Sequence, residues 1–139
     1  MRERNIAVAT SMLPIVLAVV LVLTGDASPW WAAAAVVVGG GLAWFLLRGG
    51  RHTPWERARR LVAPGHAVVF WKPGCSYCER LLRALGDDSR VTWVNVWKDE
   101  AANAELRSHN NGDELTPTAL VGPEVLRNPS ADELRAALA

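Results

Sequence analysis

Cys75 and Cys78 are the only cysteines in this chain of 139 residues, and just Ser76 and Tyr77 separate them. A pair at this spacing suits half of a zinc site, two inert structural thiols, or thiol redox chemistry. Zinc wants four ligands, and His52, His66 and His109 stand at no finger-like spacing from the pair, so no metal is expected. The flanking residues favour redox chemistry. His66-Ala67-Val68-Val69-Phe70 is a short, β-rich apolar run, the signature of a buried parallel strand. After the pair, Cys78, Leu81, Leu82 and Leu85 fall at i, i+3, i+4 and i+7, one helix face, while Glu79, Arg80 and Arg83 point outward. Strand, turn, Cys-x-x-Cys, helix puts Cys75 at a helix N-terminus, where free N–H groups and the positive dipole end favour thiolate over thiol. Cys78 lies one turn inside. Cys75 is therefore the expected nucleophile and Cys78 the thiol that attacks it in turn.

The rest of the chain must position that turn, and its composition divides it. Half of the residues are apolar, with the excess in the first third. Ile6–Leu23 and Trp30–Leu47 are each 18 residues without a charge, and helices of that length reach roughly 27 Å, just enough to cross a bilayer. The break between them is a tight turn, so residues 1–50 are expected to form a two-span transmembrane hairpin, with Gly39-Gly40-Gly41 offering a packing surface. Arg2 and Arg4 precede the first span and Arg48, Arg51, Arg57, Arg59 and Arg60 follow the second, while the turn carries only Asp26. That asymmetry predicts both termini and the cysteine domain on the cytoplasmic side of the inner membrane, with Trp30 and Trp31 at the outer interface and Trp55 near the inner one. A cleavable signal peptide fits worse, because the apolar run is long and a second span follows at once.

Residues 51–65 read as a basic juxtamembrane linker. Thr53-Pro54-Trp55-Glu56 has a capping Thr, Pro at the first helical position and Glu three residues after the cap. Its Arg-rich helix, through about Val62, either lies on anionic headgroups, at about 1 kcal/mol per basic residue, or is a solvated linker. Residues 66–139 then hold one small domain. Val91–Val96 is a second strand, Asp99 caps a helix to about Arg107, Thr118–Val121 and Glu124–Arg127 flank a Gly122-Pro123 turn, and Ser130-Ala131-Asp132-Glu133 is a capping box opening a last helix. The order is βαβαββα, an α/β fold with a four-stranded mixed sheet covered on both faces. With 15 Lys and Arg against 14 Asp and Glu, no nucleic-acid partner is expected.

Lys72-Pro73-Gly74-Cys75-Ser76-Tyr77-Cys78 followed by Thr116-Pro117-Thr118 resembles the glutaredoxins of the thioredoxin-like superfamily. The stretch from Asn111-Gly112 through Asn128-Pro129-Ser130-Ala131-Asp132-Glu133-Leu134 is most similar to the mycoredoxins, which use mycothiol in place of glutathione. The likeness runs from about His66 to the C-terminus and leaves out the hairpin. It implies Cys75 as nucleophile, Cys78 as resolving cysteine and a transient Cys75–Cys78 disulfide. It also implies a thiol groove lined by Tyr77, main-chain pairing by Thr116, a cis Pro117, and a Lys72 that meets a substrate carboxylate and lowers the thiol pKa. Ser130 and Asp132 either meet substrate polar groups or act only as caps. Leu115-Thr116 stands where the family has Thr-Val, and Asn128-Pro129 where glutathione-binding members have Gly-Gly, which favours the mycothiol branch.

The resemblance thus predicts a membrane-anchored thiol–disulfide oxidoreductase that reduces mixed disulfides on proteins near the bilayer, with mycothiol as reductant and no bound cofactor. The rivals are a thioredoxin-type dithiol reductase, an iron–sulfur-bridging protein and a non-enzymatic redox sensor.

Overall fold

The computed structural model describes residues 2–25, 28–47 and 50–139, and the chain divides into two units, residues 1–48 and 49–139. In the first, α1 (Arg2–Leu23) and α2 (Pro29–Leu47) pack as a pair. Pro14 sits inside α1. At Gly39 the helices approach closely: a Cβ there would stand 2.6 Å from Ile15 Cγ1 and 3.0 Å from the Ser11 carbonyl oxygen, so nothing larger than glycine fits without displacement. Gly40 and Gly41 face open space. Leu13, Val16, Leu17, Trp30, Val37, Val38 and Trp44 are all exposed on the pair.

Among the described residues no helix is long and apolar enough to cross a membrane. The two uncharged runs reach 18 residues only with Ala7, Val8, Leu46 and Leu47 counted, and those side chains lie outside the described residues. Asp26, Arg48 and the side chains of Arg2 and Arg4, on which the expected orientation depends, lie outside them too.

The second unit begins with a segment that behaves unlike a linker. Trp55 is buried with its ring centroid 5.2 Å from that of Phe70, and Ala58 is fully buried. The helix α3 is only Trp55–Ala58, with Pro54 at its N-cap position and no side-chain cap. Thr53 makes a different bond from the expected one: its N–H donates to the Trp93 carbonyl over 2.8 Å, along the edge of the sheet. The Trp55 N–H donates to an Asp99 carboxylate oxygen at 2.7 Å, and the Trp71 indole N–H to the Arg51 carbonyl at 2.8 Å. A Cβ on Gly50, at φ +53°, would collide with the Trp71 ring. The expectation that Trp55 lies at the lipid interface is thus corrected: an aromatic ring able to cover Phe70 buries more apolar surface there than at an interface.

The sheet has the order β2-β1-β3-β4, with β1 (Ala67–Trp71), β2 (Val91–Asn95), β3 (Thr118–Val121) and β4 (Glu124–Arg127). β1 runs parallel to β2 and antiparallel to β3, and β3 and β4 form an antiparallel hairpin. This is the mixed four-stranded sheet and the βαβαββα order expected. The strand period of two sorts β1 between faces. Ala67, Val69 and Trp71 join a core with Cys78, Leu81 and Leu85 of α4 (Ser76–Leu85) and Leu134 of α6 (Ala131–Ala137), while Phe70 meets Trp55 on the other face. Asp99 caps α5 (Glu100–His109) by accepting from the Ala102 N–H, and the Ser130–Glu133 capping box is complete in both directions.

Candidate active site

Burial of Cys78, Leu81 and Leu85 docks α4 on the sheet and sets Cys75 at the mouth of the β1–α4 turn, as its N-cap residue. Cys75 is half-buried and Cys78 fully buried; both are free thiols. The Cys75 sulfur accepts from the Cys78 N–H at 3.3 Å and from the Cys78 thiol at 2.6 Å. Together these hold the Cys75 thiol down to about 6, the bond from the Cys78 side chain contributing most, with burial opposing and the Cys78 and Tyr77 amides and the Thr116 side chain assisting. Cys78 is pushed up, first because it gives its proton to the shared bond and then by burial. One sulfur is therefore made ready to attack and the other kept protonated behind it.

The opposite wall is the Thr116–Pro117 loop. That peptide bond is cis, and the Thr116 carbonyl lies 3.4 Å from the Cys75 sulfur. The Thr116 hydroxyl is buried and has no hydrogen-bond partner among the described residues. Thr118 and Asn110 pin this loop. The Thr118 hydroxyl donates to the Leu115 carbonyl at 2.9 Å, and the buried Asn110 side-chain amide donates to the Thr118 oxygen at 3.2 Å and to the Leu106 carbonyl at 2.8 Å.

Lys72 turns to Glu114: its Nζ donates to the Glu114 carbonyl at 3.3 Å and lies 4.0 Å from Oε1 of the Glu114 carboxylate. The lowering of the Cys75 thiol comes from hydrogen bonds, chiefly those of Cys78. Tyr77 is exposed, with the Arg80 guanidinium 5.3 Å from its ring centre. Beside it lies an open cavity of about 330 Å³ lined by Tyr77, Arg80, Leu81, Asn128, Pro129 and Ser130. Asn128, at φ 51°, takes a left-handed conformation that asparagine tolerates, and its N–H donates to the Pro117 carbonyl at 2.8 Å. Ser130 is engaged in its capping box, and Asp132 pairs with Arg135 at 2.8 Å.

Residues 67–126 match the glutaredoxin family model. No curated protein matches the chain. The domain that holds this match has the α/β order and the four-stranded mixed sheet of the thioredoxin-like fold. Glu114, Asn110 and Thr118 of this domain carry no signal of their role in the sequence. Glu114 is one of two adjacent acids in a loop, after Asp113, while Asn110 reads as a helix end and Thr118 as an ordinary strand residue.

Proposed function

We propose that this chain is a membrane-anchored thiol–disulfide oxidoreductase that reduces mixed disulfides formed with a low-molecular-weight thiol, mycothiol being the best fit. The observation carrying the reading is the Cys75 sulfur, held low by the thiol and amide of Cys78 and facing the Thr116 carbonyl. The Cys75 thiolate attacks the small-thiol sulfur of the mixed disulfide. A Cys75–small-thiol disulfide forms, the old S–S bond breaks, and the target cysteine leaves as a thiolate that takes a proton from water. A second small thiol, as thiolate, then attacks that disulfide, releasing a small-thiol disulfide and restoring Cys75. In the other branch Cys78 gives up its proton and attacks, leaving a Cys75–Cys78 disulfide that the small-thiol pool reduces. Two electrons pass from the pool to the target in either branch.

Mycothiol, rather than glutathione, is supported by the Asn128-Pro129 pair and the open cavity beside Tyr77. The anchor is supported by the uncharged runs Ile6–Leu23 and Trp30–Leu47 and by large apolar side chains exposed on the helix pair. Both termini and the redox domain then face the cytoplasm, and the targets are disulfide-bearing proteins close to the bilayer. The test is steady-state reduction of one peptide carrying either a mycothiol or a glutathione mixed disulfide. Faster turnover of the first is expected; parity or reversal removes mycothiol, and no turnover of either removes the oxidoreductase.

A further inference from the structure

We propose that Glu114 determines the charge of the thiol this site accepts: by neutralising Lys72 it directs the site toward small thiols that carry no carboxylate next to the cysteine. The proposal rests on the oxidoreductase reading above. Lys72 and Glu114 come from the two loops that enclose the reacting sulfur. The Cys75 N–H donates to the Lys72 carbonyl at 3.4 Å, and Glu114 stands two residues before Thr116, whose carbonyl meets the Cys75 sulfur at 3.4 Å. A substrate lying along Thr116 passes this pair.

The pair is built in. The Glu114 side chain is 4% exposed and that of Lys72 is 19% exposed. Glu114 holds the ammonium with its carbonyl at 3.3 Å and its carboxylate at 4.0 Å. The same carboxylate oxygen accepts from the Trp97 indole N–H at 3.0 Å, which fixes its position. Turning the ammonium toward an incoming carboxylate would leave a buried carboxylate with its cation withdrawn, a costly state in a site shielded from water. An incoming carboxylate also meets a negative group of like charge. A thiol bearing hydroxyl or amide groups incurs neither cost. Glutathione, with two carboxylates, is disfavoured for this reason, and an uncharged, polar thiol is admitted.

The experiment uses the full chain and one peptide carrying a mixed disulfide with either glutathione or uncharged 2-mercaptoethanol. Glu114→Gln keeps the size and the oxygen that Trp97 needs while removing the charge. The ratio of kcat/KM for the glutathione substrate over the 2-mercaptoethanol substrate should rise roughly tenfold, through KM for the glutathione substrate, and the rise should fade as salt is added. A merely structural role moves both substrates together. An unchanged ratio overturns the assignment and leaves the oxidoreductase reading in place, whereas no turnover of either substrate by the unaltered chain overturns both. Should Glu114→Gln fail to fold, the unaltered chain is given the same peptide carrying glutathione with its glycine carboxylate esterified. Faster turnover than with the free acid supports the assignment, and equal turnover overturns it.

Discussion

The backbone N–H of Cys78 points at the sulfur of Cys75 over 3.3 Å. That bond exists because Cys75 is the N-cap of α4, where the first amides of a helix have no carbonyl to meet. It strengthens when the sulfur is charged. The thiolate absorbance of the reduced protein should therefore titrate with a midpoint of about 6, and the rate with a mixed disulfide should rise along the same curve. The stability of the reduced domain follows from the sign of each shift. Cys75 is lowered, so its contribution is present above the ordinary thiol value of 9.0 and is lost as pH falls through about 6. Cys78 is raised, so its contribution is present below 9.0 and is lost as pH climbs beyond it. Urea midpoints of the reduced form should rise from pH 6 toward 9 and then fall, and Cys75→Ser should remove the rise together with turnover.

Cys78→Ala takes away the side-chain donor that contributes most to lowering the Cys75 thiol. The midpoint in this variant should move up by more than one unit, toward an ordinary thiol. Cys78→Ser supplies a hydroxyl in place of the thiol and should stay closer to the parent. If the small thiol alone completes the cycle, Cys78→Ser keeps turnover of the mixed disulfide; if the dithiol route is obligatory, it loses it.

The buried hydroxyl of Thr116 has no hydrogen-bond partner among the described residues, yet it helps hold the Cys75 thiol low, as a group does when only the thiolate gives it an acceptor. Thr116→Val keeps the shape and should raise the Cys75 midpoint while stabilising the reduced fold by about 1 kcal/mol at pH 5, where the hydroxyl is an unsatisfied buried group. Paired titration and urea unfolding would check both. A fall in stability at pH 5 would show that the hydroxyl has a partner in the protonated protein.

Trp55→Ala removes a buried ring from the face that Phe70 presents. The loss should be about 3–5 kcal/mol, the range for a large buried aromatic. Chemical denaturation of the chain, followed by the fluorescence of the remaining tryptophans, measures it. An effect under about 0.5 kcal/mol would mean that residues 50–62 are a free tether.

The hairpin bears a prediction of its own. The full chain should stay with membranes through an alkaline carbonate wash, and a cysteine placed at position 28 should react with an impermeant reagent added outside the cell while Cys75 is spared. Release by carbonate would remove the anchor, and labelling of Cys75 would reverse the orientation.

Much of this protein could be read from its residues, because the signals were local. The helix after Cys75 shows in the spacing of Cys78, Leu81 and Leu85, the last helix in the Ser130–Glu133 capping box, and the hairpin in Gly122-Pro123; each depends on groups a few positions apart. The place of Cys75 at a helix start was legible for the same reason, since it follows from the strand, turn and helix around it.

What only the tertiary structure decided lies between groups distant in sequence. Thr53 pairs with Trp93 and Trp55 with Phe70, which brings an expected linker into the domain. Lys72 meets Glu114, 42 positions away, and the lowering of the Cys75 thiol expected of it comes from hydrogen bonds instead. Asn110 and Thr118 pin the loop that carries Thr116 to Cys75. Such contacts arise when the closed chain must find a partner for each buried polar group and a cover for each apolar face, and no pattern along the chain records which distant group will serve.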